Sequence, residues 1–251
     1  MQFIGIIPAR YASTRFPGKP LARIGGRSMI HRVVERASRC EVLNEVVVAT
    51  DDARIFDHVA EFGKAVMTGK HHRSGTERCL EALQYLNKEG TYSPDDCVIN
   101  IQGDEPFIDP RQIAQIAQMF ADERVQIATL ARKFDRGEEA ANPDKVKVVL
   151  ANNGKALYFS REAIPYASRR RTSADVGRHP CYQHLGLYAY RIATLERIAL
   201  LSPGQLEQAE QLEQLRWLEH DFEIFVQETT IESIAIDTPG DIAGIPPNLL
   251  G

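Results

Sequence analysis

Ile6-Ile7-Pro8-Ala9-Arg10-Tyr11-Ala12-Ser13-Thr14-Arg15-Phe16-Pro17-Gly18-Lys19-Pro20 is the stretch on which the fold turns. It follows Phe3-Ile4-Gly5, so an apolar, β-branched run opens the chain. Such a run reads as a strand buried on both faces, the habit of parallel sheets. Pro8 is expected to end it, because proline cannot donate to a sheet ladder. The loop beyond carries Arg10, Arg15 and Lys19 and no acid. In a parallel α/β sheet the loop after the first strand faces the ligand crevice. A cationic loop there suits an anion, and phosphate above all, since Arg grips it bidentately and Lys meets it as a point charge. A solvated basic loop with no ligand is the plain alternative. Neither GxxxxGK[ST] nor GxGxxG is present, so this is not a Walker loop or a dinucleotide fingerprint.

The chain has 251 residues, 43% hydrophobic and 25% charged, enough for one large α/β domain or a domain with an added lobe. A net charge of -4 argues against a nucleic-acid partner. Charge is uneven, however. Between Arg10 and Arg36 lie Arg15, Lys19, Arg23, Arg27 and Arg32, with Glu35 the only acid, which favours an acidic small ligand. Cys40, Cys79, Cys97 and Cys181 are widely spaced with no CxxC, which supports neither zinc spacing nor a disulfide framework. No leader pattern and no run of about 20 apolar residues is present, so a soluble cytoplasmic protein with no membrane partner is expected.

Further elements alternate. Met29, Ile30, Val33, Val34 and Ala37 make one helical stripe, with Arg32 opposite it. Glu45-Val46-Val47-Val48-Ala49-Thr50 is a second buried strand, and Asp52 can cap the helix after it. Lys64 to Met67 is a third strand, and Ser74 or Thr76 caps the next helix. Strand, helix, strand, helix, strand implies a parallel sheet. His71 and His72 invite a metal, but adjacent side chains in an extended loop point apart and no further Cys or His stands at ligand spacing, so none is expected there. Cys97 to Gln102 is a strand running into Gly103-Asp104-Glu105-Pro106. Two acids beside a cationic loop would repel its anion. A magnesium ion, bound by hard carboxylate and phosphate oxygens, resolves that conflict. Asp109-Pro110 caps a helix.

From Ile127 the pattern changes to strands in series, with an Asn152-Asn153-Gly154 hairpin turn. An antiparallel lobe over about 127–191 is expected within a single domain of residues 1–251. The Arg169-Arg170-Arg171 triplet lacks aromatic interleaving and reads as solvated loop. His184 and Tyr188 alternate on one face of a strand. One helix is expected from Leu206 to Glu219, with Glu213, Gln214 and Arg216 away from its leucines. A strand, Ile234-Ala235-Ile236, delivers Asp237, and Pro239 starts a last short helix.

Five of these motifs resemble, in order, those of the bacterial sugar-acid cytidylyltransferases, and among them the 3-deoxy-manno-octulosonate (Kdo) branch. They are Ile7 to Leu21, His72 to Arg78, Gln102-Gly103-Asp104-Glu105-Pro106, His184-Leu185-Gly186-Leu187-Tyr188 and the stretch around Asp237. Gly240 stands where the family has an acid, which weakens a helix start and leaves Asp237 intact. The resemblance implies a nucleotide-diphospho-sugar-transferase-like α/β fold, a Rossmann-like mostly parallel sheet with helices on both faces and an antiparallel dimerisation lobe. It implies transfer of CMP from CTP to Kdo with release of pyrophosphate, feeding lipopolysaccharide synthesis. Arg10, Lys19 and Asp104 would be catalytic. Ala9, Ser13, Arg15, Arg73, Ser74, Gly75 and Gln102 would join Arg10 and Lys19 around the nucleotide. Asp104 and Asp237 would hold Mg2+. Arg161, His184, Tyr188, Glu213 and Gln214 would form the sugar pocket, with Arg161 for the carboxylate. A homodimer is implied, and no residue stands out as a dedicated base. The alternatives are a cytidylyltransferase for sialic acid or another acid sugar, and a catalytically silent nucleotide-binding protein of the same fold.

Overall fold

The computed structural model describes residues 1–13, 16–134, 139–166 and 181–249. The chain begins with β1 (Phe3–Ala9), a small hairpin of β2 (Arg23–Ile24) and β3 (Arg27–Ser28), and α1 (Met29–Ala37). Then come β4 (Glu45–Thr50), α2 (Ala53–Ala60), β5 (Lys64–Met67), α3 (Gly75–Leu86), β6 (Cys97–Asn100), α4 (Pro110–Gln118) and β7 (Ile127–Lys133). The second half adds β8 (Lys147–Leu150), β9 (Ala156–Ser160), β10 (Tyr182–Arg191), α5 (Ile192–Ile198), α6 (Gln205–Glu210), α7 (Gln214–Glu219), β11 (Ile224–Glu228) and α8 (Pro239–Ala243).

Among the described residues nine strands form one sheet whose main path is β11-β7-β10-β6-β1-β4-β5. Every pairing between β6, β1, β4 and β5 is parallel, as is β11 with β7. β10 runs against all three strands it pairs with, β6, β7 and β8. Segment 127–191 therefore contributes in two ways: β7 and β10 complete the main sheet, and the β8–β9 hairpin hangs off the start of β10.

Alternation along β1 explains the two cores. Ile7 and Ala9 pack on the face covered by α1, α2 and α4. Ile4 and Ile6 pack on the other, covered by α3, α5 and α7. Pro8 does not end β1 as expected; it pairs in register with Ala49. Even-numbered residues of β1 bond toward β6, as the Ile6 carbonyl accepting from Ile101 shows. The β6 register stops at Ile6–Asn100, so the missing Pro8 N–H falls where that ladder has already finished.

Caps are where the side chains predicted them. Asp52 accepts from the Arg54 amide, Ser74 rather than Thr76 accepts from the Glu77 amide, and Asp109 forms a capping box with Gln112. Arg32 departs from expectation. It is buried, and its guanidinium donates to the Ile24 and Gly25 carbonyls of the β2–β3 hairpin at 2.7 and 3.3 Å.

Two expected elements differ. The single helix 206–219 is broken into α6 and α7 by Gln211, which sits in the left-handed region at φ 54°. Neighbouring Glu210 accepts from Ser160 Oγ at 2.6 Å and the Arg161 amide at 2.9 Å, which fixes the end of α6 against β9. After the break Gln214 and Arg216 face inward and are buried. Residues 234–236 form no strand; the Ile236 amide donates to the Asp104 carbonyl at 2.9 Å, and the Ile236 carbonyl accepts from Lys19.

Candidate active site

Two cavities open at the carboxyl ends of β1 and β6 and share Gln102 and Asp104 as a common wall. The smaller, of about 230 Å³, lies against the turn after β1 and is lined by Ala9, Arg10, Ser13 and Lys19. Gly103 makes this geometry attainable, since a Cβ there would stand 2.7 Å from the Pro8 carbonyl oxygen. Lys19 opens a short 3₁₀ turn that follows Gly18, whose φ of 72° suits glycine.

The Lys19 ammonium donates to Asp104 Oδ2 at 2.7 Å, the Ile236 carbonyl at 3.0 Å and Asp237 Oδ1 at 3.4 Å. Asp104, beyond the tip of β6, and Asp237, 133 residues later in the chain, thus converge with their carboxylates on one cationic atom, while remaining partly open to solvent. The Asp237 and Thr238 amides donate to Asp241, which begins the last helix in spite of Gly240. Beside them Glu105 is fully enclosed; burial pushes its carboxyl up to about 7, against the pull of a Ser233 hydrogen bond.

Arg10 is half-buried and donates to the Ser74 carbonyl at 3.2 Å, which ties the β1 loop to the start of α3. Burial, and then the Arg78 cation nearby, lower its pKa. Gly75 lies against Pro8 and Asn100, where a Cβ would meet both at 3.4–3.5 Å. Arg73 is held by its amide, which donates to Glu77 at 2.8 Å. Gly75 lines the larger cavity, so the helix start stands between the two. Arg15 and the Arg169–Arg171 triplet lie outside the described residues.

The larger cavity, of about 520 Å³, brings together His184, Tyr188, Glu213 and Gln214. It also includes Thr76, Asn100, Tyr190 and Trp217, which the sequence reading did not single out as site residues. Their apolar or helical spacing reads as core, and only the sheet topology turns them toward the crevice. Arg161 is not among the lining residues. Its guanidinium donates to the carbonyls of Pro143, Glu210 and Gln211 and clamps the turn between α6 and α7 from behind.

A register shift in β10 between Leu185 and Tyr188 opens the strand. Gln102 Nε2 grips the freed Gly186 carbonyl at 2.7 Å, and Thr129 Oγ1 lies 2.8 Å from the Leu187 carbonyl and 3.0 Å from His184 Nε2. A hydroxyl has one proton. Given to a carbonyl, it leaves Thr129 to accept from His184, so Nε2 carries the hydrogen and Nδ1 is the free acceptor. Burial pulls His184 down to about 3, which keeps the ring neutral. Burial likewise raises Glu213, countered by hydrogen bonds from Ser74 and Thr76. The Tyr188 hydroxyl is buried with no hydrogen-bond partner among the described residues. An unpaired buried polar group costs about 1–3 kcal/mol, and a polar ligand in this cavity would relieve it.

Comparison with known proteins identifies the family. The cytidylyltransferase family matches residues 4–231. The 3-deoxy-manno-octulosonate cytidylyltransferase of Parabacteroides distasonis is 52% identical over 247 residues, covering 96% of each chain. That of Syntrophus aciditrophicus is 44% identical over 254 residues, covering 100% of this chain and 98% of its own. A solved structure of CMP:2-keto-3-deoxy-manno-octonic acid synthetase complexed with CTP superposes with a TM-score of 0.87 at 39% identity, over 97% of this chain and 96% of that one. A 4-diphosphocytidyl-2C-methyl-D-erythritol synthase shares the fold, with a TM-score of 0.66 at 14% identity over 100% and 98% of the two chains. With its two adjoining cavities and its full-length likeness to these enzymes, the chain belongs to the 3-deoxy-manno-octulosonate cytidylyltransferase family of cytidylyltransferases.

Proposed function

We propose that the protein transfers CMP from CTP to the anomeric hydroxyl of Kdo, releasing pyrophosphate and supplying an activated sugar for lipopolysaccharide synthesis. The observation that carries this reading is the shared wall: a cationic cavity and a hydroxyl-matching cavity meet at Gln102 and Asp104. A nucleotide in the first would present its α-phosphorus to a sugar in the second.

In the reaction the anomeric oxygen forms a bond to the α-phosphorus. The bond from that phosphorus to the β-phosphate oxygen breaks, its electron pair leaves with pyrophosphate, and the hydroxyl proton passes to solvent. Little covalent work falls to the protein; orientation and charge neutralisation dominate such transfers. Arg10 and Lys19 neutralise the phosphates, and Lys19 also separates the two carboxylates from the anion they would repel. Ser13 and the Ser74–Gly75 helix start offer hydrogen bonds to the nucleotide. Neutral His184 accepts a sugar hydroxyl at Nδ1, Tyr188 donates its unpartnered hydroxyl, and Glu213 and Gln214 complete the set. Arg161 positions this pocket through its hold on Glu210 and Gln211.

Asp104 and Asp237 would hold Mg2+. Their hard oxygen donors fit it, and both carboxylates already point at one cationic atom. When bound, it supplies neutralisation of phosphate-oxygen charge in the transition state. A homodimer joined through the β8–β9 side fits the exposure of Leu157 and Tyr166 there. Among the described residues no helix is long and apolar enough to cross a membrane, and with polar substrates the reading is a cytoplasmic enzyme.

The test is pyrophosphate release, with magnesium, across four nucleoside triphosphates and a panel of sugar acids. The expected result is release with CTP and Kdo, and a CMP conjugate recovered in equal amount. Equal turnover of all four triphosphates, or turnover of sialic acid and not Kdo, would overturn the proposal.

A further inference from the structure

The loop before α3 holds a cluster that lines neither of the two cavities. Adjacent histidines in an extended loop were expected to point apart, yet the rings of His71 and His72 lie 4.3 Å apart, centroid to centroid. The cause is local. Gly69 offers no side chain, and a Cβ there would stand 2.4–2.5 Å from the His71 ring, so the glycine lets that ring fold back over the loop. Glu81, one helical turn and a half into α3, then meets the loop and His72. Its Oε2 accepts from the Gly69 amide at 2.7 Å and pairs with His72 Nε2.

Among the described residues, His71, His72 and Glu81 are a set of three whose ligand atoms all lie within 4.8 Å of one another. We propose that His71, His72 and Glu81 form a site for a borderline divalent transition metal such as Zn2+, separate from the Asp104–Asp237 pair. Two imidazoles and one carboxylate are a donor set that zinc accepts, with water completing a tetrahedron. Bonds of about 2.0–2.1 Å at tetrahedral angles place donors roughly 3.3 Å apart. Rotation of the exposed His71 ring closes the remaining gap, while His72 and Glu81 are already in contact.

The chemistry of the acid agrees. Glu81 Oε2 accepts from the Gly69 amide and pairs with His72, so its carboxylate is anchored at the site. Glu77, 3.8 Å from His72 Nδ1, adds a second negative charge close by. Metal here would replace the proton shared between His72 and Glu81. It would also pin the loop that ends in the Ser74 cap, and so stiffen the helix start beside the nucleotide cavity.

The experiment uses the full chain after chelation, in a D104N/D237N background that removes the other carboxylate pair. Zn2+ alone is titrated calorimetrically, and Co2+ alone spectroscopically. One zinc per chain is expected. His71→Asn, at an exposed position, should weaken it by at least tenfold, and Glu81→Gln likewise, while a rise in melting temperature with zinc appears in the parent and not in His71→Asn. Cobalt should give weak d–d bands without a thiolate charge-transfer band. Equal zinc affinity in parent and His71→Asn, a thiolate band, or no saturable binding below 100 µM would overturn the proposal.

Discussion

His184 links the folded state to pH in a way that can be measured apart from catalysis. Its ordinary pKa is 6.5, and burial lowers it to about 3 in the native protein. Between those values the unfolded chain takes up a proton that the native ring refuses, so stability falls as pH drops through 6.5 and levels off near 3. At pH 5 the unfolded ring is favoured by a factor of about 30 on protonation, roughly 2 kcal/mol. Glu105, raised to about 7, acts in the opposite sense, because its native carboxyl binds a proton that the unfolded one has lost above 4.5. That opposing effect is common to any pair of variants that keep Glu105. Urea unfolding of the parent and of His184→Gln at pH 7.5 and pH 5 therefore isolates the histidine. The parent should lose about 2 kcal/mol more than the variant between the two pH values. Parallel losses would show that His184 titrates normally, and the lowering of its pKa by burial would then be untenable.

Other outcomes follow from particular contacts. Gly103→Ala brings a Cβ to 2.7 Å from the Pro8 carbonyl, so the sheet tip must shift; chemical denaturation should show a loss of about 1–3 kcal/mol, and turnover should fall with it. Asp104→Asn or Asp237→Asn should keep the fold by circular dichroism and lower kcat by about 10²–10³ at saturating magnesium, the scale of losing one electrostatic stabiliser. Arg216→Ala strands Glu207, whose carboxylate now receives two guanidinium bonds of 2.6 Å in a mostly buried setting; a loss of about 3–5 kcal/mol is expected in the same denaturation assay.

Local chemistry made much of this molecule readable. Strands β1, β4 and β6 are continuous apolar runs because parallel strands are covered on both faces, and Asp52 and Asp109 announce the helices they cap. Gly103-Asp104 at a strand tip points to the crevice from the sequence alone. What escaped depends on partners distant in sequence. Pro8 stays in β1 because of where β6 stops pairing. The 206–219 helix breaks at Gln211, where Glu210 is held by β9, and no proline or glycine stands at that position to mark the break. β11 was not foreseen, and its parallel place beside β7 is set by the sheet. Arg161 looked like a carboxylate ligand, yet three main-chain carbonyls engage its guanidinium. His71 and His72 looked divergent until Gly69 and Glu81, neither a neighbour in the motif, drew them together.

In the proposed function the cavity at β1 would read the nucleotide and the cavity at β10 and α7 would read the sugar acid. Calorimetric titration of CTP into His184→Ala and Gln214→Ala, set beside sugar-dependent kinetics of the same variants, tests it most directly. CTP affinity without sugar should stay within about threefold of the parent, a change below roughly 0.7 kcal/mol, while KM for Kdo rises or turnover falls. Collapse of CTP binding with the KM for Kdo unchanged would contradict the division.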